Sequence, residues 1–142
     1  MWREIDIAPH FLIPLLLSAS LFIYLVLKTR KRFKQDWASD AIGALTVFLF
    51  FYSFFMCLVL WQDLGYQLNL LSFDLNGDGV FSAEEQTPEQ EEAAFYVHAD
   101  TGRNFTPVTT LIPCSVIGFI AFIVFRCYAY FLEFLKSRKL FG

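Results

Sequence analysis

Three long runs of the chain carry no charged side chain: Phe11–Leu27, Ala41–Trp61 and Val108–Phe125. Within them the apolar residues do not keep to one stripe. Around Leu49–Phe55 they go all the way round a helical wheel, whereas a helix on a soluble core would alternate an apolar and a polar face. Crossing the hydrocarbon core of a bilayer takes roughly 17–25 apolar residues. All three runs reach that range, the first and third at its lower end. A backbone in lipid has to satisfy its own hydrogen bonds, so each run is predicted to be a helix. The pattern predicts an all-α integral membrane protein with three transmembrane helices.

The polar segments between the runs give a predicted organisation. Residues 1–27 hold an N-terminal segment and the first span, 28–40 a basic link, 41–61 the second span, and 62–107 a long loop. Residues 108–132 form the third span and 133–142 a basic tail. Pro9 and Pro14 are placed at the start of the first helix, where proline costs least. Ser39 or Asp40 is expected to cap the second helix. That helix is expected to run past Trp61 toward Phe73, because no proline intervenes. Thr87-Pro88-Glu89-Gln90 reads as a fresh helix start, with Thr87 as cap and Pro88 as first residue. The helix Pro88–His98 begins acidic, which suits the positive end of its dipole. Asp100-Thr101-Gly102 is expected to end it as a turn, and Pro107 to open the third span.

Charge then sets an orientation. The link carries Lys28, Arg30, Lys31, Arg32 and Lys34, and the tail carries Lys136, Arg138 and Lys139, whereas the long loop has only Arg103. Lys and Arg collect on the cytoplasmic side. The two basic segments are separated by two spans and so share a side. The expected topology has the N-terminus outside, the C-terminus cytoplasmic and the 62–107 loop extracytoplasmic. Trp37 and Trp61 flank the second span, and Tyr128 and Tyr130 suit the inner boundary of the third. The segment before the first span is not basic and no small-residue cleavage site follows it, so this span reads as a retained helix rather than a signal peptide. Arg126, just beyond the third run, is expected to snorkel to the headgroups.

Composition agrees with this reading. Of 142 residues, 56% are hydrophobic and 18 are Phe, more aromatic surface than a soluble domain of this size can hide. The net charge is −3, and no nucleic-acid partner is expected. Cys57, Cys114 and Cys127 fall in or beside the spans without zinc or disulfide spacing, and are expected to be buried, inert thiols. His10 and His98 have no nucleophile or carboxylate motif near them. No catalytic residue is assigned, and the chain is not expected to be an enzyme. Asn104-Phe105-Thr106 matches the glycosylation tripeptide but lies against the membrane before Pro107, so modification is not expected. Ser115, Gly118 and Ala121 make a small-residue strip suited to close helix packing.

The densest chemistry lies in Asp74-Leu75-Asn76-Gly77-Asp78-Gly79-Val80-Phe81-Ser82-Ala83-Glu84-Glu85. Calcium takes six to eight oxygens in loose geometry. This stretch resembles the twelve-residue calcium loop of the EF-hand superfamily. The resemblance implies ligands from Asp74, Asn76, Asp78, the Val80 carbonyl, Ser82 and Glu85. It also implies a sharp turn at Gly79 and an apolar anchor at Phe81, with Phe73 and Leu70 as an apolar entry. Ser82 and Glu85 read as a capping box for the exiting helix. Two departures stand out: there is one loop where the family pairs two, and Pro88 should stop or kink the exiting helix after one turn. The resemblance therefore covers about residues 66–87, with Ca²⁺ as the only cofactor implied.

Function at this level is a calcium-binding integral membrane protein. Its loop would be ordered by Ca²⁺, and it would serve as an accessory or structural subunit of a larger membrane assembly. Lipid and protein partners within the membrane are expected, and self-association is left open. The alternative is a calcium-responsive channel or transporter component formed by oligomerisation. A catalytic use of the acidic loop is weaker still, because a full ligand set leaves no open coordination position.

Overall fold

A computed structural model of the chain describes residues 9–29, 36–83, 85–98 and 101–139, with the side chains of Thr101 and Lys139 left aside. Among these residues there are helices and turns and no strand. The elements are α1 (Pro9–Thr29), α2 (Trp37–Leu71), α3 (Pro88–His98), α4 (Thr101–Asn104), α5 (Thr106–Thr109) and α6 (Leu111–Lys139). Three of the helical stretches are long and apolar enough to cross a membrane. Arg30, Lys31, Arg32, Lys34 and Asp100 lie outside the described residues; Thr101 and Gly102, expected in a turn, open α4 instead.

Helix α2 organises the molecule. It is 35 residues long, so it spans about 52 Å at 1.5 Å per residue. It is the middle helix, with α1 against one side and α6 against another, while α3 folds back along its far end. The core lies on one face of α2, where Tyr52 and Met56 close on Cys114 of α6 with Leu15, Phe48, Phe51, Phe55 and Val59 around them. The Ser115–Gly118–Ala121 strip contributes to this contact at Gly118. A Cβ there would stand 3.1 Å from the Phe48 Cβ and 3.5 Å from the Ala44 carbonyl oxygen. At the same end of α2, Gly43, next to Ala44, lies directly under the Phe125 ring. The α1–α2 seam holds a polar pair, in which the Ser53 hydroxyl donates to the Ser18 hydroxyl at 2.9 Å.

Several boundaries differ from those expected. The cap of α2 is Asp36, whose carboxylate accepts from the Ser39 N–H at 2.8 Å, because nothing in residues 37–40 opposes helix. Asp40 is thereby free to meet Arg126: Nη1 of the guanidinium lies 3.0 Å from Asp40 Oδ2, and Nη2 donates to the Tyr130 hydroxyl. Arg126 therefore ties α6 to α2 instead of simply reaching for headgroups. Pro14 stands inside α1, not at its start, and brings no N–H for the His10 carbonyl. The third helical stretch breaks at Thr110, between α5 and α6, where Pro113 brings no N–H for the Thr109 carbonyl. α6 then runs on through the predicted tail to Lys139. Cys114 is buried, but Cys57 and Cys127 are exposed on the chain, since both face away from α2's packed side or the α2–α6 contact.

Candidate metal centre

The loop is delivered by the end of α2. Ser72, Phe73 and Asp74 each donate backbone N–H groups three residues back, to Asn69, Leu70 and Leu71, so the last turn tightens and Asp74 is drawn inward. Asp74 is 3% exposed and Leu70 8%. Gly77 and Gly79 have φ of 73° and 83°, backbone that an L side chain rarely adopts. These two positive-φ residues bend the chain round the Asp74 carboxylate, which accepts from the Gly77 N–H at 2.7 Å and the Gly79 N–H at 3.1 Å. Asn76 Oδ1 accepts from the Asp78 N–H at 2.9 Å, and Asp78 Oδ1 from the Val80 N–H at 2.8 Å. Asn76 Nδ2 donates to Asp78 Oδ2.

Glu85 closes the circle. Its Oε1 accepts from the N–H groups of Leu75 and Asn76 at 2.8 and 3.2 Å. Its Oε2 accepts from the N–H and hydroxyl of Ser82 at 2.8 and 2.9 Å. The last residue of the loop is thus held against the residues that follow its first. The Ser82 N–H, then the Ser82 hydroxyl, hold the Glu85 carboxyl below its ordinary value, with smaller help from Asn76 and Leu75; partial desolvation works the other way. The bond from Ser82 N–H to Glu85 is the returning half of the expected capping box. A single turn forms there, with Glu85 and Gln86 donating to the Ser82 carbonyl, and the chain restarts at Pro88. Thr87 caps α3 through the Gln90 N–H at 3.2 Å, as the sequence predicts.

The six predicted ligand residues therefore share one compact loop of oxygen donors, but their side-chain oxygens are turned onto protein donors. A carboxylate offers about four lone-pair directions, and Glu85 has a protein donor in each. Among the described residues, which omit Glu84, no three His, Cys, Asp or Glu side chains gather into a group that would hold a metal. The apolar positions behave unequally: Phe81 is half-buried, whereas Val80 is 68% exposed and offers its carbonyl from an outward-facing residue.

A second polar cluster, which the sequence reading did not find, lies behind the loop. Asp63 and Arg103 are both buried and their charged groups lie 3.3 Å apart. Gln67 donates to the second Asp63 oxygen at 2.8 Å. Arg103 Nη2 donates to the Val97 carbonyl at 2.9 Å near the end of α3. The Tyr66 ring lies over the guanidinium, and Tyr96 of α3 stacks on Tyr66 at 5.4 Å. The one local signal was Asp63 and Gln67 at i, i+4 on the face that also buries Leu70. His10 also finds a partner, with Nε2 3.2 Å from Asn104 Oδ1, so the glycosylation tripeptide's amide is engaged with α1. No family model, no curated protein and no solved structure matches this chain.

Proposed function

We propose that this chain is a calcium-binding integral membrane protein, an accessory subunit whose extracytoplasmic loop, 62–107, is held in a docking shape by Ca²⁺. Support for the membrane comes from exposure. In the most apolar window of each long helical stretch, only 17–22% of residues are buried inside the chain. Side chains such as Leu17, Phe119 and Ile112 are more than half exposed and need lipid or a partner to cover them. The basic residues of the link and tail support an outer side for the 62–107 loop.

The single observation that carries the calcium reading is the closed loop itself. Two buried carboxylates from its two ends gather it: Asp74 accepts from the Gly77 and Gly79 N–H groups, and Glu85 from those of Leu75, Asn76 and Ser82. The donors are all oxygen, the chemistry a hard cation prefers. Asp74, Asn76, Asp78, the Val80 carbonyl, Ser82 and Glu85 would hold the ion, which would neutralise the carboxylates and fix the end of α2 to the start of α3. Glu85 cannot give both oxygens to an ion and keep four protein donors. Binding therefore competes with the loop's own hydrogen bonds. That places the affinity at the weak end, on the order of 10⁻⁴–10⁻³ M as in extracellular modules.

Calorimetry on the detergent-solubilised full chain tests this. Heat of calcium uptake is expected at millimolar concentration and should vanish in the Asp74→Ala, Glu85→Gln double variant. No heat in the wild-type chain defeats the calcium reading. Purification in mild detergent, with and without a chelator, tests the accessory role. A partner that leaves with the calcium supports it, and a clean monomer in both conditions argues against it.

A further inference from the structure

The third helical stretch is broken where a helix in lipid can least bear it. Between α5 and α6 the Thr109 carbonyl has no helical N–H to receive, because Pro113 stands four residues on. Two residues earlier, the Pro107 carbonyl takes its hydrogen bond from another helix, from the Tyr52 hydroxyl at 3.0 Å. The break opens a cleft of about 250 Å³, lined by Phe55 of α2 and by Thr109, Thr110 and Pro113. Thr110 is 7% exposed, and among the described residues its hydroxyl has no hydrogen-bond partner.

Phe55 lies six residues before Trp61, so the cleft stands about 9 Å inside the outer end of the uncharged run of α2. Irregular backbone at that depth is tolerated where protein buries it or where it lines a polar cavity. Tyr52 relieves Pro107 but not Thr109. The Thr109 carbonyl accepts, and the Thr110 hydroxyl both donates and accepts. One further hydroxyl serves both, donating to the carbonyl and accepting from Thr110. The four lining residues carry no charge, which selects against an ion. Phe55 and Pro113 make the rest of the wall apolar. Val108 and Ile112, next to Thr109 and Pro113 in the chain, are 63% and 71% exposed. Under the membrane reading these side chains face lipid, so a ligand reaching the cleft comes from the bilayer and has an apolar body. Water could make the same hydrogen bonds. It takes about 30 Å³ per molecule, however, and leaves the apolar walls without contacts.

We propose that this cleft binds a neutral membrane alcohol, a sterol or a diacylglycerol. Its hydroxyl would sit between the Thr109 carbonyl and the Thr110 side chain, with its apolar body along Phe55 and Pro113. The inference rests on the membrane-spanning reading and not on calcium.

The experiment is photolabelling of the full chain in phosphatidylcholine vesicles, with photoreactive cholesterol in one arm and photoreactive diacylglycerol in the other. Mass spectrometry reads the labelled residues. In one arm, label is expected to concentrate at Phe55 and around Pro113, above the level at the exposed Phe119 of α6. Excess unlabelled lipid of the same kind should displace it, and the arm that behaves so identifies the alcohol. Thr110→Val keeps the side-chain shape and removes the hydroxyl. It should lower the displaceable label about three- to tenfold, the worth of one hydrogen bond. Pro113→Ala returns an N–H to the Thr109 carbonyl and should lower the label as well. Even labelling of Phe55 and Phe119 in both arms overturns the proposal, and so does enrichment that Thr110→Val leaves unchanged. Water or acyl chains would then fill the break. A chain that alkaline carbonate strips from the vesicles defeats the membrane reading, and this inference with it. Loss of enrichment in a carbonate-resistant chain defeats this inference alone.

Discussion

Asp63 and Arg103 meet 3.3 Å apart with both side chains more than nine-tenths buried, and they join α2 to the segment that leads into α5 and α6. Gln67 and the Val97 carbonyl share the charges, and the Tyr66–Tyr96 stack closes over them. The end of α2, the loop and α3 thus form a hairpin tied at both ends: by Glu85 at the tip and by this pair at the base.

Removing one partner of a buried ion pair strands the other charge, which costs about 3–5 kcal/mol. Arg103→Met is therefore expected to lower stability by that order. The loss should appear first as faster amide exchange in α3, because Arg103 also holds the Val97 carbonyl. Replacing both members, with Asp63→Leu and Arg103→Met, should be milder than Arg103→Met alone. Equal exchange rates in wild type and Arg103→Met would show that the pair does not hold the hairpin.

Protons act at the tip. Glu85 is held below its ordinary carboxyl value of 4.5 by the Ser82, Asn76 and Leu75 donors. A carboxyl that is depressed in the folded loop contributes order that is fully present above the unfolded value. That order is lost as pH falls through the folded value. Protection of the Leu75 and Asn76 amides should therefore be constant at neutral pH and fall below pH 4.5. In Glu85→Gln their protection should already be low at neutral pH and should not change across the acid range. Hydrogen exchange read by mass spectrometry checks both.

Part of this was legible in the sequence and part was not, for a physical reason. Charge-free runs are local, so the three long apolar helices, the continuation of α2 past Trp61 and the Thr87–Pro88 start were readable from short windows. Gly79 signalled a sharp turn in the same way, whereas the second positive-φ position, Gly77, was not singled out. What Glu85 does there was not readable, because its four donors depend on how the loop closes. Asp40 looks like a cap when only its neighbours are considered. Its partner, Arg126, lies 86 residues away and reaches it only because α6 packs on α2. Asp63 and Arg103 are likewise brought together by tertiary contact. That α2 is the middle helix was also invisible, since all three apolar runs are equally hydrophobic.

The Asp40–Arg126 contact gives a test of geometry rather than charge. The guanidinium bonds Asp40 and Tyr130 through different nitrogens and lies over the Tyr130 ring at 4.9 Å. Lysine keeps the charge but not the planar fork or the stacking. Arg126→Lys should therefore lower the melting temperature in detergent almost as far as Arg126→Met. If Lys is as stable as Arg, only the charge matters at this position.

Gly118 tests how closely α6 lies on α2. An added Cβ would stand 3.1 Å from the Phe48 Cβ, closer than side chains ordinarily approach, and 3.5 Å from the Ala44 carbonyl. Alanine asks the helices to part by a few tenths of an ångström, whereas valine forces a larger separation. Overpacking of this kind costs about 1–3 kcal/mol. Gly118→Val is expected at the upper end of that range and Gly118→Ala at or below the lower, read from thermal unfolding in detergent. The obstacle at Phe48 is its Cβ and backbone, not its ring. Phe48→Ala should therefore fail to rescue Gly118→Val, while adding its own loss from the aromatic face around Tyr52. Rescue by Phe48→Ala would mean that the ring sets the spacing and that the two backbones lie further apart than described here.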